Sequence, residues 1–231
     1  MATQLDSQKL LATADQMALR VRERFPGSGL AGVAALVAAT APNADAVARS
    51  VSEVKVGWRL LGVLVTAVII LIVGVAIYGL RVPMHVSSIT DLIQGIEALI
   101  NIIVFGGIAM YFVFSLETRV KRSAALKLLA SLRSLAHVID MHQLSKDPSR
   151  LKDALPQTAH SPPKMQLTPE LLTRYLDYCS ELLAIISKLA ALQVQRFDDP
   201  VTLAAVNDLE ELVSGLSRKI WQKIMIIDRL A

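Results

Sequence analysis

The sequence predicts an all-α membrane protein with amino-terminal helices, a two-span transmembrane hairpin and a cytoplasmic antiparallel three-helix bundle continuous with the second span. The chain is 53% apolar and only 19% charged, and the apolar residues concentrate between Val54 and Leu116. Two runs in that stretch match the ~20 residues that cross a hydrocarbon core. No proline interrupts the chain from Ser88 to about His142, so one helix is expected to contain both the second run and the charged amphipathic sequence after it. At ~1.5 Å per residue this helix would extend roughly 80 Å.

The predicted boundaries divide the chain into three regions. They are a cytoplasmic helical region over 1–56, a transmembrane hairpin over 57–116 with spans at about 58–80 and 92–116, and a cytoplasmic bundle over 117–231 with a flexible linker at 143–167.

The first region begins with a helix from about Leu5 to Phe25, because apolar residues recur there at three- and four-residue spacing. Pro26-Gly27-Ser28-Gly29 ends this helix. A short helix of small residues then runs to Thr40, and Pro42 is expected to break it, so that Asn43 caps a third helix leading into the first span. The small residues favour close helix packing, and an interfacial membrane segment is the alternative interpretation.

The two spans are defined by their lack of charge and by their flanks. Leu60 to Leu80 holds no ionisable residue, and Ala98 to Phe114 is interrupted by Asn101 alone. Aromatic residues cluster at the far end of the second run, as in an interfacial belt. Basic residues lie at the start of the first run and after the end of the second, whereas the connector between the runs carries only Arg81. These basic residues are Lys55, Arg59, Arg119, Lys121, Arg122 and Lys127.

The positive-inside rule therefore places both termini in the cytoplasm, and the Ala/Leu/Val-rich composition favours the inner membrane of a bacterium. The stretch Gly29 to Ala41 is too short to span and follows no short basic leader, so we expect the first span to direct insertion.

The single cysteine, Cys179, excludes an intramolecular disulfide; it lies on an apolar helix face, which indicates a small buried hydrophobe. The net charge of +4 is explained by the basic residues near lipid headgroups, and we expect no nucleic-acid partner.

Three helices are predicted to form the bundle. Leu128, Leu132, Leu135 and Ile139 repeat at heptad-like spacing on the first. Thr168-Pro169-Glu170 opens the second with a capping residue, a proline and an acid, and it reaches about Gln195. Asp198-Asp199-Pro200 opens the third in the same way. The linker contains four prolines (Pro148, Pro156, Pro162 and Pro163) and is a plausible docking segment.

Two sets of residues in the spans are candidate sites. Gln94, Glu97 and Asn101 share one helix face and form a membrane polar stripe, with Glu97 at the outer boundary, where it can reach headgroups. Such a stripe is expected to face protein rather than lipid. Gly62, Gly106 and Gly107 are candidate helix-packing residues, because small side chains let spans approach closely.

A polar seam is predicted on the first bundle helix, where Arg133, His137 and Asp140 lie on one flank. His137 with Asp140 could supply two metal ligands, but no Glu-x-x-His pair occurs on the other helices. We therefore favour a structural polar seam, with Asp140 paired to Arg174, and expect no metal or cofactor.

No catalytic motif accompanies these features, since phosphate-loop, nucleophile-elbow, dinucleotide-binding and zinc-protease patterns are all missing. The sequence thus favours a non-enzymatic membrane-anchored scaffold or signal-transmitting module. Its expected partners are membrane lipid, further copies of itself and a protein bound by the bundle or linker. The alternative is a subunit of a small oligomeric ion channel or transporter, with the polar stripe lining its pore.

Overall fold

The computed structural model describes residues 4–53, 56–81, 89–152, 159–160, 166–195 and 197–230, and every regular element in these ranges is helical. The elements are α1 (Ser7–Arg24), α2 (Gly29–Ser52), α3 (Val56–Arg81), α4 (Ile89–Leu144), a 3₁₀ helix (Pro148–Lys152), α5 (Pro169–Ala191) and α6 (Pro200–Leu230). They form two compact units: a core unit of Met1–Ser52 with Arg122–Ala231, and an apolar unit of Glu53–Lys121.

Both ends of α1 follow from its sequence. The Asp6 carboxylate accepts a hydrogen bond from the Lys9 amide at 3.2 Å, which satisfies one of the free donors of the first turn. After Phe25 the chain turns through Gly27, whose φ of +68° favours glycine. The Ser28 hydroxyl then accepts from the Ala31 amide at 3.2 Å and starts α2.

The expected break at Pro42 is wrong, because α2 continues through this proline to Ser52. Proline removes one backbone donor from a helix and normally kinks or ends it. Here the helix is held on both sides of Pro42 by burial, since Val37, Ala41 and Ala44 are each at most 1% exposed. Tertiary packing therefore overrides the local signal, and Asn43 lies inside the helix instead of capping another.

The three later helices begin close to their predicted starts, although α5 ends at Ala191, before the predicted Gln195. α4 is one helix from Ile89 to Leu144. The Thr168 hydroxyl accepts from the Leu171 amide at 3.3 Å and caps α5. Asp199 caps α6 through the Thr202 amide at 2.9 Å.

The core unit is built around α5, which packs against α1, α2 and α6. The sequence left open where the amino-terminal helices pack; they share a single hydrophobic core with α5, α6 and the second half of α4. Its largest fully buried side chains are Met17, Leu30, Leu132, Ile139, Leu172, Leu176, Leu182, Leu183, Ile186, Leu189, Leu209 and Ile220.

Helices α4 and α6 run in the same direction, as three pairs of residues show. Arg122 bonds to Asp199, the guanidinium of Arg133 lies 3.9 Å from the Asp208 carboxylate, and Lys223 bonds to Gln143. Residue numbers rise together along both helices, so the intervening α5 runs against them.

The apolar unit contains α3 and the first part of α4. Two stretches of the described chain are long and apolar enough to cross a membrane, Gly29–Ser52 and Ile93–Leu151, and a shorter apolar stretch covers Leu60–Val75. The first has 44% of its apolar window buried, whereas the window in α4 has none. Because α2 lies in the core of its unit, its apolar character is explained by packing, while that of α4 is not.

Candidate functional site

The membrane polar stripe lies on the surface of the apolar unit. Gln94, Glu97 and Asn101 are all exposed, and neither α3 nor the rest of α4 covers them. The amide of Asn101 makes no hydrogen bond within the described part of the chain. Three polar side chains on one face of an apolar helix thus stay available to a group outside this chain.

The three candidate glycines have different surroundings. A Cβ added to Gly106 would lie 3.4 Å from Cγ2 of Ile69, so this glycine is where α4 meets α3. Gly62 is buried, and its carbonyl accepts a hydrogen bond from the Thr66 hydroxyl at 2.8 Å. Gly107 is exposed, and its added Cβ would meet no described atom within 4 Å.

The predicted polar seam is only partly assembled. Arg133 pairs with Asp208 across to α6, and both side chains are largely exposed. His137 is exposed, and Asp140 accepts a hydrogen bond from Gln143 Nε2 at 2.6 Å. The pairing of Asp140 with Arg174 is not formed: Arg174 lies instead over the ring of Tyr178 and 3.8 Å from the Asp177 carboxylate. Among the described residues, no three His, Cys, Asp or Glu side chains are grouped to hold a metal ion.

A polar cluster that the sequence did not indicate closes the end of α4. Lys223 of α6 donates 2.8 Å hydrogen bonds to the carbonyl oxygen and to Oε1 of Gln143, which is 1% exposed. Burial lowers the pKa of Lys223, while Asp147 and Asp140 oppose that shift. A lysine at the carboxyl end of a helix donates hydrogen bonds to free carbonyl groups, and its charge interacts favourably with the helix dipole.

The first residues of the predicted linker belong to α4, which ends at Leu144, and Pro148 begins the 3₁₀ helix packed on α6. Pro156, Pro162 and Pro163 lie outside the described residues.

A second missed contact connects α2 to the end of α5. The buried Gln193 side chain donates from Nε2 to the Ala44 carbonyl at 3.0 Å and to the Leu189 carbonyl at 3.2 Å. Its Oε1 has no hydrogen-bond partner in the described part of the chain. This amide connects α2 to the end of α5 two residues after Pro42.

Cys179 is fully buried, as its helix face predicted. Burial raises the pKa of its thiol to about 12. Its nearest turns on α5 carry Leu172, Leu176, Leu183 and Ile186, all with no exposed surface. A thiol in such surroundings stays protonated at neutral pH and is a packing group instead of a nucleophile.

Surface grooves also lie on the core unit. One of about 440 Å³ lies between α1 and α5 and is lined mainly by apolar surface, including Leu5, Leu10 and Ile185. Another lies beside the Arg133–Asp208 pair on α6 and is wide open.

Comparison of the chain with models of known protein families, with curated proteins and with solved structures gives no match.

Proposed function

We propose that this chain is a non-enzymatic membrane-anchored interaction module that self-associates and either scaffolds other proteins or transmits a signal across the bilayer. One observation carries the proposal: the single helix α4 supplies exposed apolar residues to one unit and buried core residues to the other. Ile103 and Ile108 are 62% and 59% exposed, whereas Leu132 and Ile139 are fully buried. Exposed isoleucines on a long apolar helix are expected in contact with lipid.

In this proposal α3 and the first part of α4 are the two spans of a transmembrane hairpin, at about 58–80 and 92–116. The core unit is the cytoplasmic domain, with α4, α5 and α6 as its antiparallel three-helix bundle. Basic residues after the second span support this orientation, since cytoplasmic flanks carry an excess of Lys and Arg. The inner membrane of a bacterium is the proposed location.

An insertion in α4 tests transmission through this helix. Two residues added after Thr118 would turn the following helix by ~200°, whereas seven added residues would turn it by only ~20° from its original direction. We expect the two-residue insertion to abolish binding of a co-purifying protein and the seven-residue insertion to preserve it. Retained binding with both insertions would overturn rigid transmission.

The native mass of the complex tests the scaffold itself. The protein is extracted from its own membrane into lipid nanodiscs, and co-purifying proteins are identified. A stoichiometric second protein supports the scaffold. A closed homo-oligomer without a partner contradicts the scaffolding of other proteins and favours a channel subunit.

The channel alternative rests on the exposed polar stripe. Gln94, Glu97 and Asn101 could surround a pore if several copies assembled. After Asn101, however, the same face of α4 continues with Val104 and Ile108, so a polar path would cover only the outer half of the span. Purified protein in liposomes should therefore pass no more ions than an Asn101→Leu variant. A conductance that this substitution removes would favour the channel.

A further inference from the structure

A regular row of exposed side chains runs along the apolar part of α4. Its members are spaced three, four, three, four and three residues apart and form the α4 seam: Gln94, Glu97, Asn101, Val104, Ile108 and Tyr111. Its apolar members are far from buried, with Val104 50%, Ile108 59% and Tyr111 73% exposed. Alternating spacing of three and four is the pattern with which one helix packs along another in left-handed bundles.

The partner of this seam is not α3. At ~100° per residue, Asn101 lies about 140° and Ile108 about 200° around the helix from Gly106. Gly106 is the residue whose added Cβ would contact Ile69 of α3. The seam therefore lies on the side of α4 opposite the Gly106–Ile69 contact with α3 and faces away from that contact.

Asn101 determines what kind of surface can cover the seam. Valine, isoleucine and tyrosine can face lipid, but an amide in hydrocarbon loses its hydrogen bonds to water and needs protein partners. An asparagine side chain has both donors and an acceptor, so it is complementary to another asparagine. In coiled coils, one asparagine in an apolar seam fixes register and oligomer number. Within the apolar run that begins at Ala98, Asn101 is accompanied on the α4 seam by Val104, Ile108 and Tyr111.

We propose that the α4 seam is covered by the same seam of a second copy of this chain, parallel and in register, with Asn101 bonded to Asn101. The inference rests on the membrane location given under Proposed function and adds the residues and symmetry of self-association. Copies inserted with the same topology present α4 in the same direction. Their asparagines therefore lie at equal depth, as direct pairing requires.

Glu97 is not expected to prevent this pairing. It lies one turn before Asn101, immediately ahead of the apolar run that begins at Ala98, where water and headgroups reach it. Two parallel copies still bring like charges near each other, so Glu97→Gln is expected to leave association unchanged or to strengthen it. Dissociation caused by this variant would contradict the proposed geometry.

Single cysteines locate the interface. The full chain is reconstituted in liposomes as Val104→Cys, Ile108→Cys and the off-seam variant Ile103→Cys, which is 62% exposed. The wild type is the background, because its only cysteine is buried. Mild oxidation should give a covalent dimer with Val104→Cys and Ile108→Cys, and several-fold less with Ile103→Cys. Equal yields at all three positions, or none, would overturn the proposal.

Dilution in lipid tests Asn101 itself. Dimer fractions are counted by single-molecule photobleaching at falling protein-to-lipid ratios. Asn101→Leu should raise the dissociation constant about three- to tenfold, the range of interhelical hydrogen bonds in membranes. Ile103→Leu, an apolar exchange outside the seam, should leave it unchanged. An equal effect of both variants would show that the amide does not hold the interface.

Alkaline extraction of the same membranes distinguishes a wrong membrane location from a wrong interface. Protein released at high pH would overturn the membrane location and the inference with it. Protein that stays in the bilayer, but remains monomeric and forms no seam cross-links, would overturn only self-association through α4.

Discussion

Arg122 and Asp199 form a bidentate ion pair that connects α4 to the first turn of α6. The guanidinium donates from Nη2 to Oδ1 at 2.6 Å and from Nε to Oδ1 and Oδ2 at 3.0 and 3.1 Å. The same carboxylate accepts from the amide and the hydroxyl of Thr202. Its side chain is 2% exposed, and the hydrogen bonds from Arg122 hold the pKa of Asp199 below its ordinary value. Asp199 thus caps α6 and also neutralises Arg122, which the sequence predicted to lie near lipid headgroups.

Substitution of Asp199 should loosen the start of α6. Asp199→Ala removes the cap, which is worth about 1 kcal/mol, so the amides of the first turn of α6 should exchange with deuterium about fivefold faster. Asp199→Asn keeps a capping oxygen and should have a smaller effect. Exchange is followed by mass spectrometry in nanodiscs, and equal protection in all three proteins would contradict the assigned cap.

The contribution of the Arg122–Asp199 pair should depend on pH. A carboxyl whose pKa is lower in the folded state contributes stability above its unfolded pKa of about 3.9 and loses it as the pH falls through the lowered value. The difference in protection between the wild type and Asp199→Asn should therefore be full at pH 7 and shrink below about pH 4. A difference that grows in acid would show that the charge of Asp199 does not stabilise α6.

Lys223 should stabilise the end of α4. Lys223→Met removes both hydrogen bonds to the buried Gln143, and we expect the free energy of unfolding of the core unit to fall by about 1–2 kcal/mol. The neighbouring Lys219 is exposed, and Lys219→Met should change the free energy of unfolding by less than about 0.5 kcal/mol. Urea unfolding followed by Trp221 fluorescence, with Trp58→Phe in every protein, measures both. Matching losses would indicate a general effect of charge.

Substitutions at the two adjacent glycines of α4 should affect the stability of the apolar unit differently. Gly106→Leu places a side chain against Ile69 and should cost about 1–3 kcal/mol through overpacking. Gly107→Leu projects into open space and should cost little. Unfolding by titration with sodium dodecyl sulfate compares the two. A larger loss with Gly107→Leu would mean that this glycine, instead of Gly106, lies at a helix contact.

Cys179 should be unreactive in the folded protein. Its thiol is fully buried and its pKa is about 12, so almost no thiolate exists at pH 8. A maleimide reagent should label the native protein only over the time that the core unit takes to open. Denatured protein should be labelled at once and serves as the control. Rapid stoichiometric labelling of the native protein would contradict the described core.

The sequence predicted the elements whose signals are local. α5 and α6 begin where a capping side chain and a proline stand together, and α4 is uninterrupted because no proline falls inside it. The predicted break at Pro42 is wrong for a physical reason: the local penalty of the proline is outweighed by the burial of Ala41 and Ala44, which depends on helices distant in the chain.

The polar contacts could not be predicted, because their partners are far apart in the sequence. Arg122 and Asp199 are separated by 77 positions, and Gln193 and Ala44 by 149. No spacing rule connects such residues. The polar stripe could be recognised, because three residues on one face of one helix need only the helical period. Its position opposite the Gly106 contact required the structure.

The core unit is discontinuous in the chain, and this has a consequence for its biosynthesis. The amino-terminal segment that ends at Ser52 is made first, but its main packing partner α5 is complete only at Ala191, roughly 140 residues later. At ~5–20 residues per second, the ribosome needs of the order of ten seconds or more for that interval. Throughout it α1 and α2 lack α5, the helix against which both of them pack. The ribosome therefore completes α3 and α4 while α1 and α2 still wait for the rest of their core.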